Sequence, residues 1–166
     1  MVRQFVTACL LVLSSLAGAQ SISNKTGNQL NTKNMKNEAK LVVTKFLTAV
    51  QQGDNAKLAQ LIHPDIIWSQ PGSNCLSGTK HSNAEVFQMV GKMFELSANT
   101  LRLSNFKSIS VNGNKIACLL HWNAAQPAGG ILDIDNIDVY TVENGQITKA
   151  EIFTADEDGE NRFWGE

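Results

Sequence analysis

Asp138 interrupts an apolar run, with Ile137 and Val139 on either side. A carboxyl group set among apolar neighbours loses hydration if it faces inward, and desolvation raises its pKa. Held neutral, it can donate a hydrogen bond to a ligand carbonyl or phenolate. The same aspartate can also be purely structural, paired with a backbone amide or a polar group on a helix. Strand alternation puts Asn136 and Tyr140 on its face.

His121 is the second candidate for acid–base work. A hairpin centred near Pro127 and Ala128 sets Ala117 opposite Asp138. His121 then lies four residues further along, on the order of 13 Å away at the usual strand rise. A direct dyad with Asp138 therefore requires a bulge; without one, a strand histidine is a structural residue. His63, His81 and His121 lack helical or knuckle spacing and no C-x-x-C occurs, so no metal site is expected. No P-loop, other nucleotide motif or nucleophile elbow is present either. Any chemistry is expected to proceed without cofactor or metal.

These residues need elements to position them. Val42, Val43, Phe46, Leu47 and Val50 recur at three and four, one face of a helix beginning near Asn34 to Asn37 and stopped by Gly53. Asp54 caps a short second helix with Leu58, Leu61 and Ile62 inward, closed by Pro64. Ile66 to Gln70 is a strand ended by Pro71-Gly72, and Ser73 to His81 is a loop. Ser82-Asn83-Ala84-Glu85 is a capping box opening a third helix with the stripe Val86, Val90, Met93 and Phe94. Four strands follow: Leu101 to Val111, Lys115 to Asn123, Ile131 to Val142 and Gln146 to Thr154. Asn112-Gly113 and Asn144-Gly145 are hairpin turns. Helices followed by a meander give an α+β fold, with helices on one side of a curved antiparallel sheet.

The chain has 166 residues, enough for one domain, and a formal net charge of -1, which leaves no electrostatic footprint for nucleic acid. Residues 1–19 have the features of a signal peptide: basic Arg3, an apolar run from Phe5 to Leu16, and the small-x-small site Ala17-Gly18-Ala19. A secreted or periplasmic protein is expected, with no membrane contact after cleavage. Residues 20–34 are polar and are expected to be a flexible linker, residues 35–156 the domain, and residues 157–166 a solvated acidic tail. Cys75 and Cys118 are an even pair after the leader, open to a disulfide or to two free thiols.

Several segments, in this order, resemble the SnoaL-like and ketosteroid isomerase-like branch of the nuclear transport factor 2-like superfamily. They are Phe46 to Asp54, His63-Pro64-Asp65-Ile66-Ile67-Trp68, Ser77-Gly78-Thr79-Lys80 and Ile137 to Ile147. The resemblance implies a cone-shaped, cystatin-like α+β barrel whose mouth admits a ligand, and a homodimer paired through the outer sheet face. Isomerases of that branch use a carboxylate base, a tyrosine and a protonated aspartic acid. Asp138 falls at the position of the aspartic acid, Phe46 at the tyrosine, and Gln70 on or near the base. With one group of three retained, the resemblance favours a binding protein for a small apolar molecule. Its pocket would be lined by Phe46, Trp68, Phe87 and Tyr140, with Asp138, Asn136 and Gln70 orienting the ligand. The competing reading is a cofactor-free isomerase, cyclase or dehydratase with Asp138 as acid and His121, or a water held by Gln70, as base. A purely structural or dimerisation domain is a third.

Overall fold

The computed structural model describes residues 16–165. The chain divides between Asn34 and Met35 into two units; apart from the span of the first helix, the account below concerns the second. Residues 1–15 of the expected leader lie outside the described residues.

Helix α1 spans Leu16–Gln52. It therefore starts well before the Asn34–Asn37 region, where the apolar period begins; no proline interrupts the backbone ladder between Leu16 and Gln52. Its expected apolar face is the buried one: Val42, Val43, Phe46 and Leu47 are all in the core. The helix ends in a Schellman arrangement. Gly53 sits at φ +66°, its N–H donates to the Val50 carbonyl, and the Asp54 N–H donates to the Ala49 carbonyl. Asp54 then caps α2 (Asn55–Leu61) by accepting from the Lys57 N–H at 2.9 Å.

Strand β1 (Ile62–Gln70) begins four residues earlier than Ile66 and takes in Pro64. Pro64 has no N–H to give, and the pairing is irregular between Ile62 and Ile67, where it lies. A three-residue strand, β2 (Gly78–Lys80), occupies part of the expected loop and pairs antiparallel with β1. Helix α3 (Asn83–Leu96) opens at the expected cap. Ser82 Oγ accepts from the Glu85 N–H, while the Glu85 carboxylate reaches the N–H of His81, one residue further back than a standard capping box.

The meander is β3 (Arg102–Asn112), β4 (Lys115–Ala125), β5 (Ile131–Glu143) and β6 (Gln146–Thr154). Asn144 and Gly145 both have positive φ, as a two-residue hairpin loop requires. The sheet order is β2-β1-β6-β5-β4-β3. It is mixed, not wholly antiparallel, because β1 lies parallel to β6, with Trp68 opposite Ala150. Turn residues specify hairpin partners; they carry no signal for this long-range parallel pair. Helices and the inner sheet face share one apolar core, so the α+β class holds.

Two further expectations are corrected. The β4–β5 loop is centred on Ala128, so Cys118, not Ala117, faces Asp138, and His121 pairs with Asp135. A one-residue shift exchanges faces, which puts His121 on the sheet face opposite to Asp138. The acidic C-terminal segment is not a solvated tail. It forms α4 (Glu157–Trp164), capped by Asp156, and buries Glu160, Phe163 and Trp164. These stand at i, i+3 and i+4, one helical face, and that spacing overrides the acidic composition. The Asn161 side chain accepts from the Ser73 N–H at 2.8 Å, and the Gly165 carbonyl accepts from the Cys75 N–H at 2.9 Å, fixing α4 to the loop after β1. Cys75 and Cys118 are both free thiols.

Candidate functional site

Strand β5 presents Asn136, Asp138 and Tyr140 at alternate positions on the inner face, all three buried. Above them α1 brings Phe46, α3 brings Phe87, and β1 brings Trp68 and Gln70. These seven expected site residues together line a cavity of about 490 Å³. Much of the remaining wall is apolar, including Met89, Met93, Phe94, Trp122 and Ile152.

Asp138 is 3 % exposed. The Tyr140 hydroxyl donates to its Oδ2 at 2.6 Å, while its Oδ1 is buried and finds no donor within the protein. Burial pushes the Asp138 carboxyl up to about 7; the Tyr140 hydrogen bond opposes the rise and the charge of Glu160 adds to it. Proton exchange at neutral pH is therefore within its range. Tyr140 is itself pushed well above the usual phenol range, first by burial and then by the Asp138 charge. Its ring meets Phe46 edge-on at 5.4 Å and Trp68 at 6.3 Å. Phe46 has no hydroxyl at the position where the resemblance implies a tyrosine, and the Tyr140 hydroxyl is committed to Asp138. The Trp68 indole N–H donates to Gln70 Oε1 at 3.2 Å, which fixes the amide at the wall. Cys118, across from Asp138, is raised to about 12 by burial and then by the Asp138 charge, with Ser108 opposing; it is a thiol at neutral pH and no nucleophile.

The C-terminal helix contributes two wall residues that composition had hidden, Glu160 and Trp164. Glu160 is 3 % exposed and accepts from Asn136 Nδ2 at 3.3 Å. Burial raises its pKa, against hydrogen bonds from Thr154 and Asn136 that lower it. The signal available in the sequence was the Glu160, Phe163, Trp164 spacing.

His121 does not belong to this site. It lies on the outer face, with Nδ1 2.7 Å from Asp135 and Nε2 2.8 Å from Asp133. The hydrogen bond to Asp135, ahead of the nearby charges, raises its pKa. With a carboxylate against each ring nitrogen it is suited to remain an imidazolium. Among the described residues no cluster of side chains could hold a metal ion, and no helix is long and apolar enough to cross a membrane.

Helices packed on one face of a mixed sheet and enclosing a cavity are the architecture of the nuclear transport factor 2-like, cystatin-like class of α+β proteins. The SnoaL-like domain model matches residues 43–150, and the chain belongs to that family. A protein of unknown function with a cystatin-like fold from Xanthomonas campestris is 34% identical, with a TM-score of 0.73, covering 77% of this chain and 98% of that one. An uncharacterized protein of Mycobacterium tuberculosis is 27% identical over 123 residues, 74% of this chain and 93% of the relative. TerC, co-crystallized with polyporic acid, shares the fold at 17% identity and a TM-score of 0.66, covering 76% of this chain and 97% of its own.

Proposed function

We propose that this is an exported SnoaL-like protein whose cavity binds a small, largely apolar molecule, oriented by an oxygen placed against Asp138. One observation carries the reading: a buried carboxyl with an unpartnered Oδ1 lines an apolar cavity of about 490 Å³. Buried polar atoms are nearly always paired, and an unpaired one at a cavity wall is suited to a ligand partner. TerC, of the same fold, was co-crystallized with polyporic acid, which supports a cone of this kind as a container for an organic molecule. Titration of the purified domain with 2-naphthol, followed by fluorescence, tests it. Binding that is weakened by about tenfold in Asp138→Asn, or accompanied there by an altered naphthol protonation state, is the expected result. No binding by either form removes the reading.

Proton-transfer catalysis is the second reading, favoured by Asp138 being raised to about 7. In it Asp138 exchanges a proton next to a substrate carbonyl. His121 takes no part, and Glu160 is the other carboxyl at the wall. Turnover of cyclic ketones lost in Asp138→Asn, with binding retained, would favour it over binding alone.

Export and dimerisation complete the proposal. Export rests on the leader-like residues 1–19 and predicts a mature N-terminus at Gln20, readable by N-terminal sequencing. Dimerisation through the outer sheet face is supported by Leu119, Ile137 and Phe153, exposed apolar residues adjacent in register on β4, β5 and β6.

A further inference from the structure

Two side chains of the cavity wall each carry a buried oxygen that finds no donor in the protein: Asp138 Oδ1 and Asn136 Oδ1. They belong to alternate residues of β5, so the two side chains leave the same sheet face roughly 7 Å apart at the usual strand rise. Each is held from one side. Tyr140 donates to the other oxygen of Asp138 at 2.6 Å. Glu160, delivered by α4, accepts from the Asn136 amide nitrogen at 3.3 Å and so fixes which end of that amide is committed. Both side chains are more than nine-tenths buried. A buried acceptor left unpaired is costly, so two of them on neighbouring wall residues favour a partner that satisfies both.

We infer that the cavity recognises its ligand at two polar stations, Asp138 and the Asn136–Glu160 pair, and takes a flat apolar molecule with two separated hydroxyl or amine donors. The inference rests on the reading that the cavity binds a small apolar molecule, and it adds a requirement that reading lacks. Asp138 can meet either a donor or an acceptor, according to its protonation. Asn136 Oδ1 can meet only a donor. A ligand with one oxygen leaves the Asn136 station empty; an aromatic diol with hydroxyls at opposite ends fills both. Glu160 acts here as a positioning residue, holding the Asn136 amide.

The test compares 2-naphthol with naphthalene-2,6-diol on the full domain. Quenching of the wall tryptophans Trp68, Trp122 and Trp164 is the readout. The diol is expected to bind about tenfold more tightly, the gain of roughly one net hydrogen bond. In Asn136→Leu, close in volume but without the acceptor, the ratio of diol to 2-naphthol affinity falls to about one. Asn136→Ala is the second variant should the leucine disturb packing, and a melting curve checks both. Equal affinity of the two probes in the wild type overturns the two-station inference and leaves the single-station reading standing. A preference that survives in a folded Asn136 variant overturns it as well. Binding of neither probe removes both.

Discussion

The Tyr140 hydroxyl lies 2.6 Å from Asp138 Oδ2, two residues back on the same strand, and donates its proton to it. A hydrogen bond to the charged form favours that form, so this contact restrains an acid that burial alone would push higher. Tyr140→Phe should therefore raise the Asp138 pKa above about 7. Carboxyl carbon NMR titration of the two proteins measures it directly. An unchanged or lower value would mean that the phenol does not restrain the carboxyl.

Folding stability should fall as pH rises through the interval set by Asp138. Its ordinary value is 3.8 and its folded value about 7. Between these the native state binds more protons than the unfolded one, so the slope of unfolding free energy with pH is negative. Stability is fully present below about pH 4 as far as this group is concerned, and has been lost above about pH 7. Three pKa units correspond to roughly 4 kcal/mol. Glu160 is shifted in the same direction. Asp138→Asn, which can still accept from Tyr140, should flatten most of the slope and be the more stable protein at pH 8. Melting curves from pH 4 to 8 of both proteins decide this. A wild-type melting temperature that rises across the range would contradict it.

His121→Ala should leave ligand affinity within about twofold of the wild type, because its ring contacts Asp133 and Asp135 on the outer face. A large loss of 2-naphthol binding would place His121 in the pocket after all.

Phe153, 56 % exposed on the outer face, tests the dimer separately from the cavity. Phe153→Asp should shift the sedimentation of a dimer to that of a monomer, with 2-naphthol affinity retained. A wild-type monomer at micromolar concentration removes the dimer.

The inner wall was legible in the sequence because its signals are local. Alternation along Asn136, Asp138 and Tyr140 fixes a face whatever the strand pairs with, and the three-and-four spacing of Val43, Phe46, Leu47 and Val50 does the same for α1. The distance of His121 from Asp138 was legible but its sheet face was not, since that turns on one residue of loop length between β4 and β5: the centre is Ala128 rather than the Pro127–Ala128 bond. A turn residue signals that a chain reverses more strongly than it signals where the register falls. The parallel β1–β6 pair was out of reach for a similar reason, because it joins Trp68 to Ala150 across most of the domain. Glu160 was within reach but masked, as its acidic neighbours Glu157 and Asp158 dominate the segment.

The C-terminal helix makes the sharpest contrast between a solvated tail and a wall. Phe163 and Trp164 are buried and meet edge-on at 4.7 Å. Trp164 lines the cavity, while the Phe163 carbonyl accepts from the Gln126 side chain at 2.6 Å. In a tail, either residue could be cut to alanine at no cost. In a wall, Phe163→Ala should destabilise the domain by about 3–5 kcal/mol, as for large aromatics removed from cores. Trp164→Ala should do the same and also change 2-naphthol affinity, since it removes a face of the cavity. Urea unfolding of the two variants, read with the binding titration, separates the cases. Two wild-type-like unfolding curves would return residues 157–166 to solvent and remove Glu160 from the site.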